Sequence, residues 1–387
     1  YSEVVNFGTY KGRVNVRREI RIDEHDPNTY FNIWTSDKDI TINILKASPQ
    51  LKAVSTSKYY DGASFEYKVS GADNMISYLS GVGISIRDGY ADISYQMLNA
   101  KNEYEPVSEM RGAGTYRVVV ALNDKFAENN PNYAAESAIA TYTILKSVVT
   151  VTISSEGYTE GAPNSDGKTL VAPFDGSKDK YEIKYSISNM ADAPESIHLP
   201  ISQTEVNFKS DIVSAGRYPF EVVIKEGEFD MNNYRLVGSK GVLELTTKSV
   251  SSSNASVSLD TEAVVNTLVS KEITKSSSGG SDIDLWNSID SHMPLIDKNA
   301  TLASVVRLEL YCNNTYVEYS DGNIDVKVNI PSSVGDLNGK AIYTVNKNGG
   351  LSRLENYTVN NGKIEYTTEY LGALVFIDLT PATMPVW

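Results

Sequence analysis

Short runs in which apolar and polar residues alternate recur along most of the chain. Phe65, Tyr67 and Val69 alternate with polar neighbours, as do Tyr181, Ile183, Tyr185 and Ile187, and later Val306, Leu308 and Leu310. Alternation at period two puts one face of a strand on a core and the other in water, so each run predicts a half-buried strand. Turn signals bound these runs: Asp61-Gly62, Asp175-Gly176, Asp321-Gly322, Asn348-Gly349 and Asn361-Gly362. No apolar run approaches the ~18 residues of a membrane-spanning helix. One short segment reads differently: Asp260-Thr261-Glu262 precedes Ala263, Val264, Val265, Leu268 and Val269. A capping residue, early acid and i, i+4 apolar pairs there predict a short helix.

The strand pattern repeats on a longer period. Gly8-Thr9-Tyr10, Gly114-Thr115-Tyr116 and Gly216-Arg217-Tyr218 each open a stretch that closes near Lys46, Lys146 and Lys248. The three glycines are 106 and 102 residues apart, the size of one β-sandwich domain. A turn containing Asn and Tyr lies inside each stretch: Pro27-Asn28-Thr29-Tyr30, Pro131-Asn132-Tyr133 and Asn232-Asn233-Tyr234. An aromatic-Asp-Gly turn opens the second and third copies, at Tyr60-Asp61-Gly62 and Phe174-Asp175-Gly176. In immunoglobulin-like sandwiches a tyrosine at such a position folds its hydroxyl back onto nearby backbone and locks a corner. Tyr10, Tyr116 and Tyr218 are the candidates for that structural role. Two residues beyond each stand Gly12, Val118 and Phe220 rather than cysteine, so these sandwiches rely on packing.

The Tyr-Asp-Gly opening, the Ala-Gly-Thr-Tyr strand, the Asn-Tyr turn and the closing Thr-Ile-Leu-Lys together resemble the MBG/YDG-type immunoglobulin-like repeats of bacterial cell-surface adhesins. The resemblance covers 47–146 most fully, 147–248 less fully, and 1–46 as a trailing half. The third copy departs from the pattern at Arg217 and at Thr246-Thr247-Lys248. The resemblance implies a mostly β chain of tandem immunoglobulin-like β-sandwiches. The expected organisation is a partial repeat at 1–46, two complete repeats at 47–146 and 147–248, and a C-terminal β-rich domain with a helical element at 249–387. The polar run 249–258 marks a boundary or an exposed edge, and Ser276 to Ser281 reads as a flexible loop.

Composition narrows the chemistry. Asp and Glu number 49 against 35 Lys and Arg, a formal charge of −14, and no basic stripe exists for nucleic acid. One cysteine and three scattered histidines (His25, His198, His292) supply neither a disulfide framework nor a Cys/His zinc site. Tyrosines number 25, against 9 phenylalanines and 3 tryptophans, which suits sheets with one wet face. Tyr1 is not an initiator methionine and no signal-peptide pattern opens the chain, so it reads as a mature fragment or an internal piece of a longer chain.

Candidate site residues are few. Gly167-Lys168-Thr169 matches the end of a phosphate-binding loop, but Ala162 occupies the position of its first glycine and no apolar helix follows, so it reads as a surface turn. The acidic groups Asp23, Glu24 and Asp26, Asp37 and Asp39, and Asp282 and Asp284 offer oxygen ligands, with calcium the ion they would suit. None has the ligand spacing of a helix-loop-helix calcium site. Cys312 shares the face of Val306, Leu308 and Leu310 and reads as a small buried hydrophobe. Trp286, with Trp34 and Trp387, is a candidate sugar-stacking platform. No catalytic residue and no required cofactor stand out. The expectation is a non-enzymatic, extracellular stalk or adhesion protein of a bacterial surface or cell wall, whose partner is a host or cell-surface glycan or protein. The alternatives are a carbohydrate-binding module and an enzyme with its site in 249–387.

Overall fold

The computed structural model describes residues 6–21, 30–78, 86–165, 167–176, 178–190, 194, 197–227, 229–276 and 279–379. The chain is mostly β, with its strands gathered into several sheets and short helices between them. No helix among the described residues is long and apolar enough to cross a membrane. Two compact units are distinguishable: Tyr1–Val149 with Asn189–His198 and Asp230–Arg235, and Thr150–Ser188 with Leu199–Phe229 and Leu236–Trp387.

The first unit begins with a two-stranded antiparallel ribbon, Gly8–Arg21 against Tyr30–Ile44, with a register shift between Val16 and Arg17. The alternation in this segment predicts four strands, roughly 9–16, 19–22, 30–35 and 40–45; among the described residues they are joined into the two long ones. A five-stranded sheet follows, ordered Thr56–Tyr59, Ser137–Leu145, Gly114–Leu122, Ala91–Leu98 and Tyr104–Val107. The first pairing is parallel and the others are antiparallel. Along Gly114–Leu122 the residues Tyr116, Val118, Val120 and Leu122 turn inward and their neighbours outward, as period two requires. They share a core with Tyr67, Met110, Phe126, Tyr142 and Ile144. Burying one such side chain is worth roughly 1.5–3 kcal/mol, and this set holds the sheet to the segments that cover it.

The second unit opens with the same arrangement. Lys168–Pro173 runs parallel to Lys240–Ser251, which pairs antiparallel with Gly216–Ile224, itself antiparallel to Thr204–Phe208. Val151 and Ile153, on the middle strand of a three-stranded sheet, share a core with Leu170, Tyr218, Phe220, Val222, Leu243 and Leu245.

The polar run 249–258 forms strand and hairpin. Lys240–Ser251 continues into a hairpin with Ala255–Ala263, pairing Val250 with Val257. The nine-stranded sheet then extends through Ile324–Asn329, Lys363–Thr368 and Thr358–Asn360. Opposite it lies a six-stranded sheet containing Thr267–Ile273, Thr301–Cys312, Leu374–Asp378, Lys340–Val345 and Leu351–Arg353. Val257, Leu259, Ile324, Val326, Leu308, Leu310, Leu374 and Phe376 fill the space between them.

The six-stranded sheet is covered on both faces. Val305, Val375 and Ile377 point away from the sandwich and pack with Trp286, Ile289 and Met293 of the helices Ser281–Asp290 and Met293–Ile296. Burial on both faces explains why Leu374 to Ile377 is a continuous apolar run rather than an alternating one. The helical element therefore lies at 281–296, not at 260–269. Residues 260–263 instead end the strand Ala255–Ala263, and Leu268 and Val269 lie in the strand Thr267–Ile273, where Leu268 is buried and pairs with Leu310. That tertiary pairing outweighs the local i, i+4 signal. Of the expected hairpin turns, Asn348-Gly349 and Asn361-Gly362 join paired strands. Asp321-Gly322 instead links strands that pair elsewhere.

Candidate functional site

All three Gly-x-Tyr tyrosines make the same bond. The hydroxyl of Tyr10 donates to the carbonyl of Asn6 at 3.0 Å, that of Tyr116 to Gly112 at 2.7 Å, and that of Tyr218 to Ser214 at 2.8 Å. The carbonyl lies four residues upstream each time. Tyr116 is 2% exposed and Tyr218 5%, while Tyr10 is half-buried. Burial pushes the Tyr116 phenol above its ordinary value, so it stays protonated and donating.

The acidic candidates around Trp286 are placed quite differently from a ligand site. Asp282, in the first turn of Ser281–Asp290, is 4% exposed and pairs with Lys271 Nζ at 2.5 Å and Arg307 Nη1 at 2.9 Å. The hydrogen bond from Lys271 holds its carboxyl below the usual range, with help from the Arg307 charge. Two cations already neutralise it, so Asp282 anchors the helix to the sheet rather than offering oxygens to calcium. Asp284 is exposed on the same turn, and Asp290 and Asp297 are also exposed. Asp23, Asp26 and His25 lie outside the described residues, as does Trp387, and nothing is described of the Trp34 side chain. Among the described residues no three His, Cys, Asp or Glu side chains gather in a way that could hold a metal ion.

Trp286 is also not a sugar platform. It is 3% exposed and belongs to the core under the helix, so neither face of its ring is free for stacking. His292 Nδ1 is hydrogen-bonded to the Ser288 carbonyl at 2.7 Å, at the helix end. His198 lies outside any strand. Cys312 is buried, and burial raises its thiol further from ionisation. At Gly167 the backbone has φ +113°, and an added Cβ would meet the Lys240 carbonyl oxygen at 2.1 Å. That glycine is required by the turn entering Lys168–Pro173, and a strand follows it rather than the helix a phosphate loop needs.

A groove of about 750 Å³ lies beside the Ile324–Asn329 and Lys363–Thr368 strands. Its floor is the outward row Asp325, Lys327, Glu365 and Thr367, and the segment Glu355–Thr358 with Tyr357 lines it as well. The floor is internally bonded: Thr367 Oγ1 donates to Asp325 at 2.6 Å, and Lys327 pairs with Glu365 at 3.2 Å. Tyr357 keeps 36% of its surface exposed. Such a groove offers a ring face and several hydrogen-bonding groups to an extended polar ligand. Sequence reasoning passed over Tyr357 because one tyrosine among 25 carries no signal until the strands bring it beside that polar row.

Together these features define a mostly β, sandwich-rich chain. No protein-family model matches the chain, and no curated protein does either. Among solved structures, the surface layer protein SbsC, domains 1-6, is similar at 9% identity, covering 100% of this chain and 59% of that one, with a TM-score of 0.17.

Proposed function

We propose that this protein is a non-enzymatic, extracellular stalk and adhesion module of a bacterial surface, built of tandem immunoglobulin-like repeats. The observation that carries the reading is the recurrence of one construction in two successive segments: a Gly-x-Tyr corner strand whose antiparallel partner is itself paired, on its other side, with a parallel strand. Repeated modules that each bury their own core leave their loops available for contact. The resemblance to MBG/YDG-type adhesin repeats supports the same reading, with a host or cell-surface glycan or protein as partner.

A second reading, carbohydrate binding, is favoured by the groove beside Tyr357. One experiment separates the two: the chain and its Tyr357→Ala variant are applied to a glycan array and to cultured cells. Cell binding that survives the substitution, with no glycan retained, supports the adhesion reading. Glycan retention lost in Tyr357→Ala supports the carbohydrate reading. Failure to bind either surface would sink both.

A further inference from the structure

Each tyrosine corner is met by an asparagine from much later in the chain. Asn132 Oδ1 accepts from the backbone N–H of Phe7 at 3.0 Å, and its Nδ2 donates to Asn6 Oδ1 at 3.0 Å. Asn6 is the residue whose carbonyl holds Tyr10. Asn233 Oδ1 accepts from the N–H of Ala113 at 2.6 Å, next to Gly112, whose carbonyl holds Tyr116. Phe7 and Ala113 are equivalent: each immediately precedes the glycine of a Gly-x-Tyr motif. Asn132 and Asn233 are equivalent too, since each is the asparagine of an Asn-Tyr turn. These bonds lie within the first compact unit.

The third corner is met differently by the same side chain. Asn313 Nδ2 donates to the carbonyl of Arg217 at 2.7 Å, while its Oδ1 accepts from Asn266 at 2.6 Å, all within the second unit. A Cβ on Gly216 would come within 3.1 Å of both asparagines, so the motif's glycine is what lets the corner approach them. Asn313 stands in Asn313-Asn314-Thr315-Tyr316, again an Asn and Tyr turn, and its φ of +46° is one that asparagine tolerates.

We propose that Asn132, Asn233 and Asn313 are latches, fastening the backbone of the corners of Tyr10, Tyr116 and Tyr218 respectively. The Asn-Tyr turn is then the docking surface of the repeat, and its partner is the corner end of another copy of the same motif. An amide suits this task because it presents an acceptor and donors from one short side chain and so meets either an N–H or a carbonyl. The second latch is reinforced on both sides. Asn233 is 5% exposed and its Nδ2 is held by Asp230 at 3.2 Å. Tyr234, the next residue, packs edge-on against Tyr60 with ring centroids 5.8 Å apart. The inference does not depend on the chain acting at a cell surface.

Backbone amide exchange in the full chain tests it. In Asn233→Ala the Ala113 amide should exchange at least tenfold faster while Val118 and Val120 keep their protection, and in Asn132→Ala the same should hold for Phe7. Asn233→Asp retains an acceptor and should keep Ala113 protected, which also serves if the alanine variant does not fold. Unchanged exchange at Ala113 in Asn233→Ala would overturn the proposal. So would equal loss of protection at Ala113, Val118 and Val120, because the asparagine would then be an ordinary part of the fold.

Discussion

At Tyr116 the hydroxyl reaches a carbonyl four residues back at 2.7 Å, and at Tyr10 it does so at 3.0 Å. Tyr116 is one of the largest fully buried side chains, between Gly114–Leu122 and the segments that close the core. Tyr10 sits on a two-stranded ribbon whose Val14, Ile40 and Ile42 remain exposed. The hydrogen bond follows from local sequence, a tyrosine with a free carbonyl four residues upstream. The stability it confers comes from what surrounds it, since a bond exchanged for water is worth little and one sealed from water is costly to lose.

The largest effect expected from this contrast is on removing the rings. Tyr116→Ala leaves a cavity and an orphaned carbonyl and should cost about 3–5 kcal/mol, the range for large aromatic truncations. Tyr10→Ala, which removes a ring only half-buried on a two-stranded ribbon, should cost less than about 1 kcal/mol. Urea unfolding followed by tryptophan and tyrosine fluorescence measures both, and equal losses would break the comparison. Gly167→Ala ranks next. With φ at +113° and the Lys240 oxygen in the way, it should destabilise the second unit by more than about 1 kcal/mol, read as a drop in Tm.

The effect confined to acid is the smallest near neutral pH. Asp282 has its carboxyl depressed in the folded chain by Lys271 and Arg307. Its contribution is therefore complete above the ordinary value of 3.8 and fades as pH falls through the lower folded-state value. Thermal unfolding of the wild type should lose Tm across that acid window. Asp282→Asn, with no carboxylate there to protonate, should show a flatter pH profile. Parallel profiles would remove Asp282 from the account.

The same contrast between local and tertiary determination explains what was legible in the sequence. Gly-x-Tyr and most of the period-two runs act within a few residues, so the mostly β fold and the corner bonds could be read directly; Phe65, Tyr67 and Val69, however, form no strand beyond a single bridge at Phe65, and the run from Tyr181 becomes a strand only at Tyr185. The helix Ser281–Asp290 could not. Its N-terminal residue Gly280 has φ +57° and supplies no side-chain cap, and the preceding serines and glycines read as a loop. The helix stands because Trp286 and Ile289 find the outer face of a sheet assembled from strands before and after it. For the same reason Trp286 looked like a surface aromatic, and Asp282 like a cation ligand. Of the partners that bury Trp286 and neutralise Asp282, Val305 and Arg307 come from a strand that begins about a dozen residues after the helix, and Lys271 and Ile273 from the strand before it. The Asn-Tyr turns were visible as turns, but the corner amides they meet are more than 100 residues away.

The most direct measurement is a set of three single-hydroxyl deletions, Tyr10→Phe, Tyr116→Phe and Tyr218→Phe, compared by urea unfolding under one condition. Each removes the bond to the carbonyl four residues upstream and leaves the ring, and Tyr218→Phe also removes the oxygen that the Ser214 N–H meets at 3.4 Å. The account predicts losses of about 1 kcal/mol at Tyr116 and Tyr218, the net worth of a buried neutral hydrogen bond, and no measurable loss at Tyr10. Equal losses at all three, or none at Tyr116, would contradict it.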